Sequence, residues 1–148
     1  DSLQHDLTEA MRSRDELVTS TIRLCLSAIT NEEVSGKEAR VLNDQDMITV
    51  LNREAKKRKE AATAYDDAKR PELADKERAE LGIIQAYLPA ALSDEDLAKI
   101  IASAVAEVAA SGATGPSAMG AVMKIVSPQV SGRADGGAVA AAVKSALA

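Results

Sequence analysis

Asn43-Asp44-Gln45-Asp46-Met47-Ile48-Thr49-Val50-Leu51-Asn52-Arg53-Glu54-Ala55-Lys56-Lys57-Arg58-Lys59-Glu60-Ala61-Ala62-Thr63-Ala64-Tyr65 is the stretch on which the fold turns. Asn43 is a strong N-cap, and Asp46 three residues on reads as the second half of a capping box. Ile48, Leu51, Ala55, Ala62 and Tyr65 then keep helical period, which predicts a helix to about Ala68. Pro71 fits the first turn of a following helix, where its missing N–H costs nothing. Leu73, Leu81, Ile84 and Leu88 give that helix a buried side. The two long helices, joined by Lys69-Arg70, are expected to zip into an antiparallel hairpin.

Upstream, Ser2 is an expected N-cap for a first helix carrying Leu3, Leu7, Ala10 and Met11. Arg12 to Asp15 is a charged junction. A second helix is expected from about Glu16 to Val34, with Val18, Ile22, Cys25 and Ile29 in phase and Leu17, Leu24 and Ala28 widening the stripe. Ser35-Gly36 stops it, with Gly36 as the left-handed cap. These two helices are expected to cover the apolar face of the hairpin.

Composition shifts at Leu88-Pro89. Of the 18 Lys and Arg residues, 14 precede Pro89 and 4 follow it, which sets a domain boundary between residues 1–88 and 89–148. The second domain reads as three helices. Ser93 caps the first, which carries Leu97, Ile100, Ile101, Ala104, Val105 and Val108. Pro116 opens the second, expected to end before Pro128. Asp135 caps the third, which carries Val139, Val143 and Leu147. The expected fold is all-α: an N-terminal four-helix hairpin or bundle domain followed by a small three-helix C-terminal domain. Composition agrees: the chain has no Phe or Trp and only two Tyr, and is rich in the helix formers Ala, Leu, Glu, Lys and Arg.

The net charge of −5 argues against tight nucleic-acid binding by overall charge, DNA included, while leaving room for a local basic patch. A single cysteine excludes an intrachain disulfide. No apolar run is long enough to span a bilayer, and the opening residues show no signal-peptide pattern. The expectation from these points is a cytoplasmic protein with no membrane partner.

Catalytic chemistry is hard to find. A nucleophile needs a base within reach. Cys25 lies mid-helix in Leu24-Cys25-Leu26, where apolar surroundings raise a thiol's pKa. His5, the only histidine, sits near a terminus. One His and one Cys cannot build the usual zinc sets, and no calcium loop, P-loop or dinucleotide fingerprint is present. No catalytic residue, metal or cofactor is expected.

Three features remain. Arg53, Lys56, Lys57, Arg58 and Lys59 either follow a phosphate backbone or form a solvated face stitched by i,i+4 pairs such as Glu54 to Arg58. In Met119-Gly120-Ala121-Val122-Met123-Lys124, the helical Gly120 is explained by close approach of either a packed helix or a ligand. In Ser131-Gly132-Arg133-Ala134-Asp135-Gly136-Gly137, Asp135 caps a helix and Gly132 permits a tight turn. Arg133 is left displayed, either to a phosphate or to a local carboxylate.

These motifs, with Ile29-Thr30-Asn31-Glu32-Glu33, the charged third helix and Tyr87-Leu88-Pro89 before Leu92-Ser93, resemble the GatB/YqeY family in order and spacing over nearly the whole chain. The chain looks like a stand-alone member. The family's last part is similar to the tail domain of the B subunit of the tRNA-dependent amidotransferase. The resemblance implies association with glutamine-dependent carbon–nitrogen ligase chemistry without that enzyme's catalytic centres. It therefore implies no autonomous activity, and as partners tRNA, a tRNA amidotransferase or an aminoacyl-tRNA synthetase complex. By the resemblance, Lys124 and Arg133 contact phosphates, Gly120 and Gly132 permit close approach, and Asp135 holds the turn. The tail is poorer in lysine than the family's tails, as at Gln129 and Ser131. A protein adaptor without RNA binding and a cryptic glutamine-dependent amidase built on Cys25 are the alternatives.

Overall fold

The structure, a computed structural model, describes residues 2–148, and every regular element among them is helical. It divides into two compact units, one ending at Leu88 and the other Pro89–Ala148.

In the first unit α1 (Ser2–Ser13) and α2 (Glu16–Glu33) form one helical hairpin, α3 (Asp44–Asp67) and α4 (Pro71–Gln85) the other. Local chemistry sets most of their ends. The Asp15 side chain accepts from the Val18 N–H and starts α2. The Asn43 side chain accepts from the Asp46 N–H at 2.8 Å, and Asp46 reaches back to the Asn43 N–H, which completes the capping box of α3. Pro71 occupies the first turn of α4. Both hairpins reverse through one residue in the left-handed region, Arg14 (φ 57°) and Lys69 (φ 59°). At each, an N–H reaches back five residues to a carbonyl, Asp15 to Ala10 and Arg70 to Tyr65. That is the bond of a Schellman cap, where glycine is the usual residue.

Three local expectations are corrected. Ser2 is already helical rather than the cap of α1. Gly36 is not left-handed; α2 ends at Val34, whose N–H turns back onto the Thr30 and Glu32 carbonyls. The apolar stripe of α2 is narrower than its composition suggests, because Leu17 and Leu24 face outward, as does Met11 of α1.

The core of this unit forms where α2 lies on the second hairpin. Ile22, Ile29, Leu42 and Val50 gather with Leu3, and Cys25, Leu51, Ala55 and Ile84 form a second cluster. Ile22 and Ile84 are fully buried, each a side chain whose burial stabilises by about 2 kcal/mol. Farther along the hairpin, beyond the buried Arg58 and Glu80, α3 and α4 bury only the small side chains Ala62 and Ala74.

In the second unit α5 (Asp94–Ala110) is capped by Ser93, whose hydroxyl accepts from the Asp96 N–H. Pro116 belongs to a 3-10 turn (Gly115–Ala118), and α6 (Met119–Val130) begins only after it. That helix also runs through Pro128, where an end was expected. Pro128 sits in the last turn, where it leaves the Lys124 carbonyl without its helical partner and its ring crowds that carbonyl, with only two helical residues beyond it. Val126 and Val130 are buried on either side of it, and the Gln129 side chain donates to the Ile125 carbonyl at 3.1 Å. Asp135 caps α7 (Gly136–Leu147) by accepting from the Ala138 N–H at 3.1 Å. Val122, Val126, Val139 and Val143 are the fully buried centre, closed by Ile101, Ala104, Val108 and Leu147.

Candidate nucleic-acid interface

The basic run of α3 proves to be divided. Arg58 is buried, with Nη1 2.6 Å from Glu54 of its own helix and Nε 3.5 Å from Glu80 of α4. Its position on the expected phosphate-tracking face is therefore corrected, because its guanidinium faces α4 rather than solvent. Lys57 pairs with Glu54 at 2.9 Å, and Arg53 with Glu32 of α2 at 2.8 Å. Lys56 is also engaged. Lys59 alone of the five is exposed without an ion pair among the described residues. Burial works to raise the Glu54 carboxyl, but Lys57 and Arg58 outweigh it and hold the group below its ordinary value of 4.5.

Sequence reading found Glu54 as a partner of Arg58 but missed the acidic partners from other helices, Glu80 and Glu32. Glu80 falls in phase with Leu73 and Ile84 on the packed side of α4, a signal that was legible. Glu32 also takes Arg40 at 3.5 Å, which ties the α2–α3 connection to α3. Nothing in spacing marks it for that role.

The first unit has no visible catalytic constellation among the described residues. Cys25 is 2% exposed, and burial, only partly offset by Arg58, pushes its thiol up to about 11. A thiolate nucleophile is disfavoured there. Two open depressions lie on this unit, one of about 430 Å³ beside Arg23, Ser27 and Asn31, the other of about 390 Å³ beside Asp6, Glu9 and Tyr87. The Tyr87 hydroxyl donates to Asp6; burial and that bond both push its phenol up. Apart from that Tyr87–Asp6 pair, whose phenol is pushed away from ionising, no hydroxyl lining either depression donates to a carboxylate among the described residues. No group of His, Cys, Asp or Glu able to hold a metal occurs among the described residues, and no single helix is long and apolar enough to cross a membrane.

All five residues singled out in the tail lie in the second unit. Gly120 and Lys124 are exposed one helical turn apart on α6, hence on one face. A Cβ built at Gly120 meets nothing within 4 Å, so no packed helix accounts for this glycine. Lys124 has no ion pair among the described residues. Gly132, Arg133 and Asp135 share the α6–α7 turn. Gly132 has φ 76°, a conformation that favours glycine. The exposed Arg133 pairs with no carboxylate among the described residues: its Nε donates to the Ala90 carbonyl at 3.2 Å. The α7 N-terminus is occupied in part by Asp135 itself, which leaves less of the helix dipole for an outside anion.

A family model described as "Yqey-like protein" matches residues 1–147. The chain belongs to the Yqey-like protein family. This Yqey-like chain is 31% identical over 147 residues to altered inheritance of mitochondria protein 41 of Clavispora lusitaniae, a match covering 97% of the chain and 82% of the relative. It is 34% identical over 87 residues to an uncharacterized protein of Schizosaccharomyces pombe, covering 59% of the chain and 69% of that protein. With the Saccharomyces cerevisiae altered inheritance of mitochondria protein 41 it shares 36% over 88 residues, 58% of the chain and 46% of the relative. Against several of these curated relatives the Yqey-like chain spans about half their length. The names of the altered-inheritance relatives include the word mitochondrial, which overturns the cytoplasmic expectation. That expectation rested on a single cysteine, the lack of a bilayer-long apolar run and the lack of a signal-peptide pattern, none of which separates the cytoplasm from a mitochondrial compartment. None of the three relatives' names mentions tRNA or an amidotransferase.

Proposed function

We propose that this Yqey-like protein is a non-catalytic accessory protein that binds tRNA, or a tRNA-dependent amidotransferase-type complex, through its second unit. The observation that carries the reading is the contrast between its two sets of cations. The α3 cations Arg53, Lys57 and Arg58 are held by carboxylates. Lys124 stands exposed without one among the described residues, on the same face as a glycine that no internal contact explains. A glycine beside a free ammonium suits close approach of a phosphate-bearing backbone. The relatives named as mitochondrial make that compartment the place to look for the partner.

The test is binding of the full chain to total tRNA across a salt series, with Lys124→Glu beside it. Affinity that falls steeply with salt in the wild type, and falls further with a shallower slope in Lys124→Glu, supports phosphate contact. Absence of binding at the lowest salt, or equal binding by both proteins, removes the RNA reading. A second reading is favoured by the paired cations and the net charge of −5. In it the protein is an adaptor for another protein. Partners recovered from cells that survive nuclease treatment, together with no tRNA binding, decide for it.

A further inference from the structure

Arg133 holds the chain that leads into α5 by two separate bonds. The Leu92 N–H donates to the Arg133 carbonyl at 2.9 Å, and the Arg133 Nε donates to the Ala90 carbonyl at 3.2 Å. The Arg133 backbone is itself fixed, because the Arg133 and Ala134 N–H groups both donate to the Val130 carbonyl. Leu92 packs on the core of the second unit, and Ser93 caps α5 immediately after it. Residues 90–92 are therefore fastened to the α6–α7 turn chiefly through one arginine, in a stretch whose residues 89–91 are exposed.

The guanidinium has donors on more than one edge. Nε is committed to Ala90, while Nη1 and Nη2 make no hydrogen bond among the described residues. We propose that Arg133 works as a two-edged clasp: Nε closes residues 90–92 onto the turn, and the Nη edge takes a phosphate oxygen of the ligand with the clasp still closed. Ligand engagement then steadies the segment entering α5 rather than releasing it. Only the ligand half of this inference rests on the function proposed above; the clasp itself is a property of the free protein. A lysine cannot substitute. Its single ammonium reaches either a carbonyl or a phosphate from a flexible stem, whereas the planar fork of arginine serves both in one orientation.

Native-state amide exchange on the full chain tests it, with total tRNA as the ligand probe. In the free protein, Arg133→Ala is expected to speed exchange of the Leu92 amide by roughly tenfold, the effect of losing a charge-assisted bond at a solvent-exposed site. The Val122 and Val126 amides, at unchanged rates, report that the unit is still folded. On adding tRNA at low salt, Leu92 slows in the wild type, while in Arg133→Lys it quickens as the ammonium leaves Ala90 for the ligand. An unchanged Leu92 rate in free Arg133→Ala overturns the clasp. Quickening of Leu92 in the wild type with tRNA, or equal behaviour of Arg133→Lys and the wild type, overturns the two-edged use of the guanidinium. If tRNA does not bind at all, the proposed function and the ligand half fall together, and the free-protein rates still decide the clasp.

Discussion

Arg58 of α3 and Glu80 of α4 face each other across the long hairpin with Nε and Oε2 3.5 Å apart, and both side chains are about nine-tenths buried. Glu54 completes the group from one turn back on α3, 2.6 Å from Arg58. The hairpin thus carries a charge cluster at its waist, between the apolar cluster of Leu51, Ala55 and Ile84 and the small-residue stretch around Ala62 and Ala74. A buried pair of this kind adds little net stability over an apolar replacement, but removing one partner leaves the others uncompensated. Arg58→Ala is therefore expected to lower unfolding stability by about 3 kcal/mol in urea titrations. The double change Arg58→Met with Glu80→Leu, which leaves Glu54 to Lys57, is expected to recover most of that loss. An Arg58→Ala cost no larger than that of the exposed Lys59→Ala contradicts a structural role for the arginine.

Acid should loosen the same cluster. Glu54 has a folded-state pKa below its ordinary 4.5, because Lys57 and Arg58 outweigh the effect of burial. A carboxyl with a depressed folded pKa contributes stability that is fully present above the unfolded value. That contribution is lost as pH falls through the folded one. Unfolding stability is thus expected to drop as pH goes below about 4.5, with a shallower acid limb in Glu54→Gln. Parallel limbs in the two proteins, from pH-dependent urea midpoints, refute the assignment to Glu54.

The elements that were legible in the sequence are those fixed by neighbours within a turn. Asn43 with Asp46, Pro71, Ser93 and Asp135 do in the structure what their spacing implies. Misreadings arise where a distant residue decides. Arg58 read as a surface cation because its partner Glu80 comes from the opposing helix. Arg133 was weighed against phosphate and carboxylate, but it meets a carbonyl 43 residues away, which no side-chain pattern encodes. Pro128 read as a helix end, yet burial of Val126 and Val130 carries α6 through it. Leu17 and Leu24 read as core because composition cannot say on which side the second hairpin lies. Of the candidate site, sequence could locate the α6–α7 turn but not the way Arg133 is used there.

Gly120 offers a separate test of whether anything approaches α6. Since a Cβ there meets open space and φ is not left-handed, Gly120→Ala is compatible with the free fold. It is expected to raise stability by about 0.5 kcal/mol, toward the low end for such a change because Gly120 lies in the first turn of α6. Calorimetry on the free protein reads this directly. A melting temperature that falls instead would mean that the glycine has a structural role in the free unit. If the tRNA reading holds, the same variant binds tRNA more weakly despite its greater stability. That is the pattern of a residue kept small for a ligand.

The two hairpin turns carry strain that glycine would relieve. Arg14 and Lys69 adopt φ values of 57° and 59°, where an L side chain costs about 1 kcal/mol relative to glycine. Neither is held by an ion pair among the described residues, so replacement forfeits no charge contact. Glycine also gives the unfolded chain more freedom, which offsets part of the gain. Arg14→Gly and Lys69→Gly are each expected to stabilise the first unit by a few tenths of a kcal/mol to about 1 kcal/mol. The two sites lie in separate turns, so the gains should add in the double variant. Gly132→Ala in the second unit, at φ 76°, runs the comparison in reverse and is expected to destabilise by about 1 kcal/mol. Urea midpoints of the four proteins check the set. Loss of stability in both hairpin variants would show that the basic side chains make a contribution larger than the backbone strain they impose.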